Sequence, residues 1–296
     1  MAARVAGIEA GGTKIVCAVG SGPDDIEQEV RFPTTSPNDT MGRILAFLND
    51  VGPVAAVGIG TFGPCDPNPV SSTYGYITST PKPGWTNVDL VGPIVRALNV
   101  PVGFDTDVNA AVLGEWRWGA GRGLDTLLYL TIGTGIGGGA LVNGQSMHGL
   151  LHPEMGHIRV PRGEDAIEFA GSCPYHGDCL EGLASGPALL ARWGKPGVEL
   201  EAGHTAWEIE ARYLALALHN FICTLSPQRI IMGGGVMEQK QLIPLIRRYV
   251  LESLNDYLQA EAILTGMENY IVPPGLGNQA GILGAIALGQ MALAGS

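Results

Sequence analysis

Near the start of the chain stands the sequence Gly7-Ile8-Glu9-Ala10-Gly11-Gly12-Thr13-Lys14. It nearly matches a Walker A phosphate loop, but Thr13-Lys14 reverses the usual order, and the apolar run after it predicts a strand instead of a helix. A hairpin of two strands, at 4–10 and 14–20, is the better prediction. The amides of its glycine turn, with Thr13 and Lys14, can still bind phosphate, although an ordinary tight turn remains the alternative.

A second glycine turn lies in the middle of the chain, at Gly133-Thr134-Gly135-Ile136-Gly137-Gly138. Its GxGxxG pattern would suit a dinucleotide fold only if a helix followed. The residues after it instead predict a strand, 138–142, beside another at 126–132. A second phosphate hairpin, with Thr134 and Gly135 as contacts, fits better. Two related hairpins in one chain predict a duplicated α/β fold with a cleft between its halves.

A third glycine stretch, Gly233-Gly234-Gly235, follows a predicted strand at 229–232 and precedes a helix expected from near Val236. Backbone amides at a strand-to-helix junction can hold an anion or a nucleotide. A turn with unusual dihedral angles is the alternative, but one glycine is enough for such a turn.

Apolar spacing predicts most of the remaining elements. Val88–Leu98 is predicted as a helix with Asn87 as its N-cap, and a helix at 107–118 directly follows a strand at 100–106. Further helices are predicted at 180–193, 205–225, 237–258 and 278–294. The glycine-rich residues 119–123 mark the predicted domain boundary. We therefore expect an N-terminal domain, 1–118, on which the helix at 278–294 can pack back, and a larger C-terminal domain, 119–296.

Composition narrows the class of protein. Hydrophobic residues make up 46% and charged residues 15% of the 296, which is typical of a globular chain with a sizeable core. The net charge of −11 argues against nucleic-acid binding, because phosphate backbones attract basic surfaces. No secretory signal is recognisable, and no apolar run reaches the about 20 residues that span a bilayer. We expect a cytoplasmic protein without a membrane partner.

Three metal-binding side chains occur at short spacing in Cys173-x-x-His176-x-x-Cys179, inside the irregular segment 151–181. His157 can supply a fourth ligand. A Cys2His2 set is typical of structural zinc and leaves no open position for a catalytic water. Accidental clustering, or a disulfide between Cys173 and Cys179, is the alternative, and the expected cytoplasmic setting disfavours the disulfide.

Together these stretches resemble the ROK family of sugar kinases, and within it the bacterial zinc-containing fructokinase branch. The resemblance is carried by residues 7–14, Gly60-Thr61-Phe62-Gly63-Pro64, Asp105-Thr106-Asp107-Val108-Asn109-Ala110-Ala111, Gly133–Gly137, His152-Pro153-Glu154-Met155-Gly156-His157 and Cys173–Glu181. The family often has a third cysteine where this chain has His176. That exchange keeps a ligand of similar preference, so the zinc prediction stands.

The resemblance implies an actin-like, ribonuclease H-like fold of two domains with an interdomain cleft. It also implies an ATP- and Mg²⁺-dependent hexose kinase, foremost a fructokinase, and a homodimer, as is usual in the family. Asp107 would be the general base, although an Asp at the start of a helix can instead be its N-cap. The residues expected to bind sugar are Gly63, Pro64, Asn109, Glu154, His157 and Glu181. Those expected to bind ATP are Gly11, Gly12, Thr13, Lys14, Thr134, Gly135, Pro187, Gly233, Gly234 and Gly235, and those expected to bind zinc are His157, Cys173, His176 and Cys179.

Other functions remain open from the sequence. The sugar could be mannose, glucose or an N-acetylated hexosamine, because one sequence does not reveal which residues form the pocket that selects the sugar. A sugar-sensing regulatory protein is the non-enzymatic alternative, and the intact Asp107 argues against it. A zinc-dependent hydrolase would need an open metal position. His148, His152 and His204 are predicted to lie outside the chemistry, and Lys82 receives no role.

Overall fold

The computed structural model describes residues 3–163 and 169–295, so residues 164–168 of the predicted zinc segment lie outside the described part. The strands are β1 (Val5–Ala10), β2 (Lys14–Gly22), β3 (Asp25–Pro33), β4 (Ala56–Thr61), β5 (Tyr76–Ile77), β6 (Val88–Asp89), β7 (Val102–Thr106), β8 (Leu127–Ile132), β9 (Ile136–Val142), β10 (Gln145–Ser146), β11 (Arg229–Gly233) and β12 (Ile271–Val272). The helices are α1 (Pro37–Asp50), α2 (Val91–Leu98), α3 (Asp107–Trp118), α4 (Leu180–Ala184), α5 (Gly186–Trp193), α6 (Ala206–Leu225), α7 (Leu242–Leu254), α8 (Glu261–Leu264), α9 (Met267–Tyr270) and α10 (Ala280–Ala294).

Two five-stranded sheets share one topology. The first has the order β3-β2-β1-β4-β7, and the second has the order β10-β9-β8-β11-β12. In the first sheet β1 is antiparallel to β2 and parallel to β4. In the second, β8 is likewise antiparallel to β9 and parallel to β11. The glycine hairpins therefore stand at corresponding places in two copies of one arrangement, which confirms the predicted duplicated α/β fold.

Contacts divide the described chain into two compact units. The first contains residues within Met1–Gly123, Gln145–Pro153 and Gly275–Ser296, and the second contains those within Leu124–Gly144 and Glu154–Pro274. The first unit thus includes the last helix and a short excursion in the middle of the chain. The division into domains at 1–118 and 119–296 stays a prediction.

Helix α10 covers the first sheet at very short distance. The helix is apolar on all sides, which is typical of a buried helix. A Cβ atom on Gly58 of β4 would lie 1.8 Å from the Ala285 carbonyl oxygen, and one on Gly284 would lie 1.7 Å from the Ala110 carbonyl oxygen of α3. Glycines lower helix propensity. Here they let backbones pack where no side chain fits. The glycines that make a helix harder to predict from the sequence therefore permit the close packing of α10.

A buried carboxylate fixes the chain around the predicted domain boundary. Glu115 of α3 is fully buried. Its carboxylate accepts hydrogen bonds from the amides of Ala120 at 2.7 Å, Gly275 at 3.0 Å and Leu276 at 2.9 Å. Three donors satisfy a charge that would otherwise be costly to bury. One side chain thus holds two segments of the first unit that are far apart in sequence.

A tryptophan anchors the loop that contains Lys82. Trp85 is 1% exposed, and its Nε1 donates to the Thr35 carbonyl oxygen at 2.9 Å. Its ring meets the edge of Phe62, just beyond β4, with 5.3 Å between ring centroids. Lys82 itself is partly exposed. The loop is therefore held against the first sheet near the end of β4.

Two predicted helices begin later than expected and a third is broken near its middle, and in each case a proline lies in the first turn of the helix that forms. The stretch 88–98 is helical only from Val91, 180–193 is broken at Ser185, and 237–258 begins at Leu242. Proline in a first turn is well tolerated, but its ring clashes with the carbonyl four residues earlier and prevents an N-terminal extension. The prolines concerned are Pro93, Pro187 and Pro244.

The capping details differ from prediction accordingly. Asn87 is not an N-cap, since it has a positive φ of 58° and lies before the short strand β6. Ser185 does cap α5, because its side chain accepts from the amide of Ala188. The helix expected near Val236 is a four-residue 3-10 turn, Gly235–Glu238.

Candidate functional site

The first glycine hairpin joins β1 to β2 with its polar side chains outward. The amide of Gly11 donates to the Lys14 carbonyl oxygen at 2.9 Å, and a Cβ on Gly11 would lie 2.9 Å from that same oxygen. Thr34 closes the turn from β3's end, since its Oγ1 donates to the Gly11 carbonyl oxygen at 2.7 Å. Thr13 and Lys14 are exposed. Gly12, Thr13 and Lys14 are therefore placed to reach a ligand outside the sheet.

The second hairpin, between β8 and β9, is held by a carboxylate. Glu181 accepts a hydrogen bond from the Ile136 amide to Oε2 at 2.9 Å. A Cβ on Gly135 would lie 2.6 Å from the same Oε2, so a larger residue there would displace the Glu181 side chain. Thr134, between them, is exposed. Glu181, predicted to bind sugar, thus also fixes the turn that is predicted to bind ATP.

Two further predicted nucleotide segments meet this hairpin. The Gly186 amide, next to Pro187, donates to the Gly133 carbonyl oxygen at 2.8 Å. A Cβ on Gly133 would lie 3.9 Å from the Gly235 amide nitrogen. The backbones of three sequence-distant glycines therefore converge within the second unit.

The conformation of the third glycine stretch requires glycine. Gly234 has a φ of 94°, and a Cβ there would lie 2.3 Å from the Ile132 carbonyl oxygen. Left-handed backbone of this kind disfavours other residues. Since the following turn is only four residues of 3-10 helix, any anion here would bind to individual amides instead of the end of a long helix.

At the start of α3, Thr106 takes the capping role and not Asp107. The Thr106 side chain accepts from the Asn109 amide at 3.1 Å. Asp107 follows β7 at the first helical position, where its Oδ1 accepts from the Val108 amide at 2.9 Å. The capping role that was the alternative explanation for Asp107 is therefore performed by Thr106.

A buried carboxylate lies beside these residues. Asp105 is 2% exposed, and its Oδ1 accepts from the Thr106 amide at 2.7 Å and from Asn109 Nδ2 at 2.8 Å. His148 Nε2 lies 3.0 Å from the same oxygen. This hydrogen bond raises the pKa of the His148 imidazole above its ordinary value, which favours the charged form.

The predicted sugar-binding turn at Gly63–Pro64 has a cis peptide bond and a histidine neighbour. His152 is buried, and its Nε2 accepts from the Cys65 amide at 3.1 Å. A Cβ on Gly63 would lie 3.2 Å from His152 Cε1. Sequence reasoning set His148 and His152 aside, because a lone histidine carries no spacing signal. His204, set aside with them, accepts from the Ala206 amide at the start of α6.

The four predicted zinc ligands form one cluster in the second unit. The ligand atoms of His157, Cys173, His176 and Cys179 all lie within 4.8 Å of one another. His157 Nδ1 lies 3.5 Å from the sulfur of Cys179 and 3.8 Å from that of Cys173, and His176 Nδ1 lies 3.7 Å from Cys173.

These distances fit a tetrahedral ion. Zinc bonds of about 2.3 Å to sulfur and about 2.0 Å to nitrogen place tetrahedral S and N ligands about 3.5 Å apart. Burial and the neighbouring Cys173 raise the pKa of the Cys179 thiol to about 11, so without a cation this thiol would stay protonated. The donor set therefore suits a thiolate-binding metal such as zinc.

Local backbone geometry explains how the cluster forms. The Cys173 and Gly177 amides each donate to the other's carbonyl oxygen, at 3.1 Å and 2.9 Å, and Gly177 has a φ of 63°. This folds Cys173-x-x-His176 into a tight knuckle. His157 comes from a 3-10 turn in which its amide donates to the Glu154 carbonyl oxygen at 3.0 Å, while the Glu154 side chain is exposed.

The predicted site residues are thus placed in two groups. Within the first unit, Gly63 and Pro64 lie beside His152, and Asn109 lies beside Asp105 and His148. Within the second, Glu181 holds the glycine turn between β8 and β9, and the His/Cys cluster ends two residues before Glu181, at Cys179. No helix in the described part of the chain is long and apolar enough to cross a membrane.

Comparisons with known proteins agree over nearly the full length. The ROK family model matches residues 5–292. A putative fructokinase of Bacillus subtilis is 49% identical over 287 residues, 97% of this chain and 95% of its own length. A fructokinase of Lactococcus lactis subsp. cremoris is 46% identical over 267 residues, 90% of each chain. The structure of a ROK hexokinase from Thermus thermophilus is similar with a TM-score of 0.76 and 27% identity, covering 99% of this chain and 100% of that one.

Proposed function

This chain belongs to the ROK family, and we propose that it is a fructokinase that converts D-fructose and ATP to D-fructose 6-phosphate and ADP. Family membership confirms the predicted resemblance and the actin-like fold class. The observation that carries the proposal is the start of α3, where Asp107 is not needed as helix cap and Asn109 retains an unused acceptor. Relatives named fructokinase match almost the entire chain, which supports fructose as the sugar.

Asp107 would accept the proton of the attacking sugar hydroxyl. Phosphoryl transfer depends mainly on positioning and on electrostatic stabilisation, together with a group that takes this proton. The residue stands at the end of a strand and the start of a helix, so its backbone position is fixed by two regular elements. Thr106, as cap, fixes the first turn of that helix.

The sugar would be held by hydrogen-bonding side chains and by one backbone turn. Acceptors such as carboxylates and amide oxygens suit sugar hydroxyls, and donors suit the ring oxygens. The proposed sugar-binding residues are Gly63, Pro64, Asn109, Glu154, His157 and Glu181. Glu181 uses Oε2 for the Ile136 amide, so its Oε1 is the oxygen proposed to face the sugar.

ATP would be bound by the glycine turns. Backbone amides in such turns form concave sites for phosphate, and the hydroxyl of Thr13 and the ammonium of Lys14 add donors. The proposed contacts are Gly11, Gly12, Thr13, Lys14, Thr134, Gly135, Pro187, Gly233, Gly234 and Gly235. Sugar kinases use ATP with Mg²⁺, which neutralises phosphate charge when bound.

Zinc is proposed for the Cys2His2 cluster in a structural role. When bound, the ion would stabilise thiolates and hold the knuckle to the His157 turn. Its ligands flank Glu154 and Glu181, so an ordered cluster would also order those carboxylates. We further propose a homodimer located in the cytoplasm, without nucleic-acid or membrane partners, on the basis of the family resemblance and the net charge of −11.

The first test is a coupled ADP-release assay with ATP, Mg²⁺ and fructose, mannose, glucose or N-acetylmannosamine. Turnover should be fastest on fructose, and Asp107→Ala should lower kcat by about 100- to 10,000-fold with an unchanged melting temperature. Asp24→Ala, on the exposed turn between β2 and β3, is the matched control.

Two other results of this assay would each favour a different function. Faster turnover on another hexose would keep the mechanism and change the substrate. No turnover on any sugar, with ATP and sugar still bound, would refute the kinase and favour a sugar-sensing protein.

A further inference from the structure

Residues Gln145–Pro153 belong by their contacts to the first unit, although the chain on both sides belongs to the second. Two histidines attach this excursion. His152 accepts from the Cys65 amide at 3.1 Å, and His148 Nε2 lies 3.0 Å from both carboxylate oxygens of Asp105. The contact between His148 and Asp105 joins two ionisable side chains, whereas His152 contacts a backbone amide.

Asp105 is a carboxylate that the protein has buried. Its side chain is 3% exposed, and its neutral donors are the Thr106 amide and the Asn109 side chain. His148, with 36% of its side chain exposed, is the residue that supplies positive charge to it. Removing the partner of a buried charge is strongly destabilising, because the remaining charge is left without compensation.

The same carboxylate orients Asn109. Nδ2 of Asn109 donates to Asp105 Oδ1 at 2.8 Å, and it lies 3.3 Å from His148 Nε2. Since a protonated Nε2 and Nδ2 are both donors, they converge on the shared oxygen and do not bond to each other. Fixing Nδ2 in this way also fixes the direction of the carbonyl Oδ1 of Asn109.

That carbonyl oxygen has no hydrogen-bond partner among the described residues, and Asn109 is 1% exposed. Buried acceptors are almost always satisfied, and an unsatisfied one costs free energy. A hydroxyl group would satisfy this oxygen as a donor, and each sugar considered above carries several.

We propose that His148 is a positioning residue for sugar binding: its pairing with Asp105 holds the carboxylate that aims Asn109 Oδ1 at a sugar hydroxyl. The inference rests on the proposed function, because it requires the start of α3 to bind the sugar. His148 acts here through Asp105, whereas proton removal belongs to Asp107.

The first experiment compares His148→Leu, His148→Gln and wild type in the kinase assay. Leu should lower kcat/KM for the sugar by about tenfold or more, mainly through KM, because a charged hydrogen bond is lost. The KM for ATP should change by less than about twofold. Gln retains a donor for Asp105 and should recover most of the loss.

The matched control is His219→Leu, the same exchange at a histidine whose Nδ1 lies 2.9 Å from Ser253 Oγ between α6 and α7. It should leave both KM values unchanged. Melting temperatures of all variants separate loss of folding from loss of sugar affinity.

A double-variant cycle tests whether His148 acts through Asp105. In an Asp105→Asn background the buried charge is gone, so adding His148→Leu should cost less than about twofold further. An undiminished loss in that background would refute the positioning role, as would a His148→Leu enzyme that matches His219→Leu.

Wild-type activity separates this inference from the proposed function. A wild-type protein that turns over no hexose would refute the proposed function, and this inference with it. An active wild type with a normal His148→Leu variant would refute the inference alone.

Discussion

The two units have sheets of the same strand order, but they hold their candidate functional residues by different means. In the first unit, Asp107 starts a helix directly after a strand, and α10 packs against the sheet at backbone distance. In the second, the four candidate metal ligands lie in segments with little regular structure, and their side chains form one cluster. The difference shows that sheets of one strand order can place candidate site residues either on closely packed elements or in clustered loop side chains, because connections vary more freely than strands do.

Loss of a metal ligand should give the largest effect and should be confined to the second unit. Cys179→Ser replaces a thiolate in a cluster whose proposed zinc would contribute several kcal/mol to folding, given about 10–16 kcal/mol in zinc-finger peptides. We expect a zinc content near zero, faster proteolysis of residues 169–193 and at least about a 100-fold loss of kcat/KM.

Cys223→Ser is the matched control, since Cys223 is exposed on α6 and lies outside the cluster. Metal analysis and limited proteolysis measure both variants. Full activity in a zinc-free Cys179→Ser protein would contradict the structural role of the cluster.

Disturbing the packing of α10 should break the first unit instead. Gly284→Ala places a Cβ 1.7 Å from the Ala110 carbonyl oxygen, and overpacking of this kind costs about 1–3 kcal/mol or more in the free energy of unfolding. Urea denaturation measures this cost, and zinc content should remain normal.

Gly42→Ala in α1 is the control for the same exchange in open space, since a Cβ there meets nothing within 4 Å. It should raise stability by about 0.4–1 kcal/mol. Equal effects of the two alanines would mean that α10 is not close-packed as described.

The smallest effects should distinguish the two glycine hairpins. Glu181→Ala removes a charged acceptor from the Ile136 amide, and Thr34→Val removes a neutral donor from the Gly11 carbonyl. Hydrogen bonds to charged groups contribute about 1.5–3 kcal/mol and neutral ones about 0.5–1.5 kcal/mol. The KM for ATP should therefore rise by about tenfold or more in Glu181→Ala and by less than about tenfold in Thr34→Val.

Steady-state kinetics in both substrates checks this order. A Glu181→Ala enzyme in which only the KM for the sugar changes would show that the carboxylate does not support the nucleotide turn.

Much of the fold was predictable because its signals are local. Helix α3 has its predicted bounds, and both hairpins lie where glycines interrupt apolar runs. No element was predicted for residues 21–53, where β3 and α1 lie. The edge strand β3 is mostly exposed and lacks an apolar run. The start of α1 did carry a signal, since Ser36 caps it and Pro37 follows.

The His/Cys cluster and the nearby Glu181 differ in how far apart in sequence their contacts lie, and therefore in how well the sequence predicts them. Cys173, His176 and Cys179 lie within seven residues, so their spacing alone predicts that they can share an ion. The hydrogen bond from the Ile136 amide to Glu181 joins residues 45 positions apart, and no periodic pattern in the sequence predicts it.

The order of residues alone predicts the class of fold, the glycine turns, a set of candidate metal ligands and a candidate base, because each depends on neighbours along the chain. The partners of buried polar groups required the folded structure. His148 meets Asp105 across 43 residues, and His152 meets the Cys65 amide across 87. Such pairs form because burial of a charge or an amide demands a partner, and the fold, not the local sequence, determines which side chain is near enough to satisfy it.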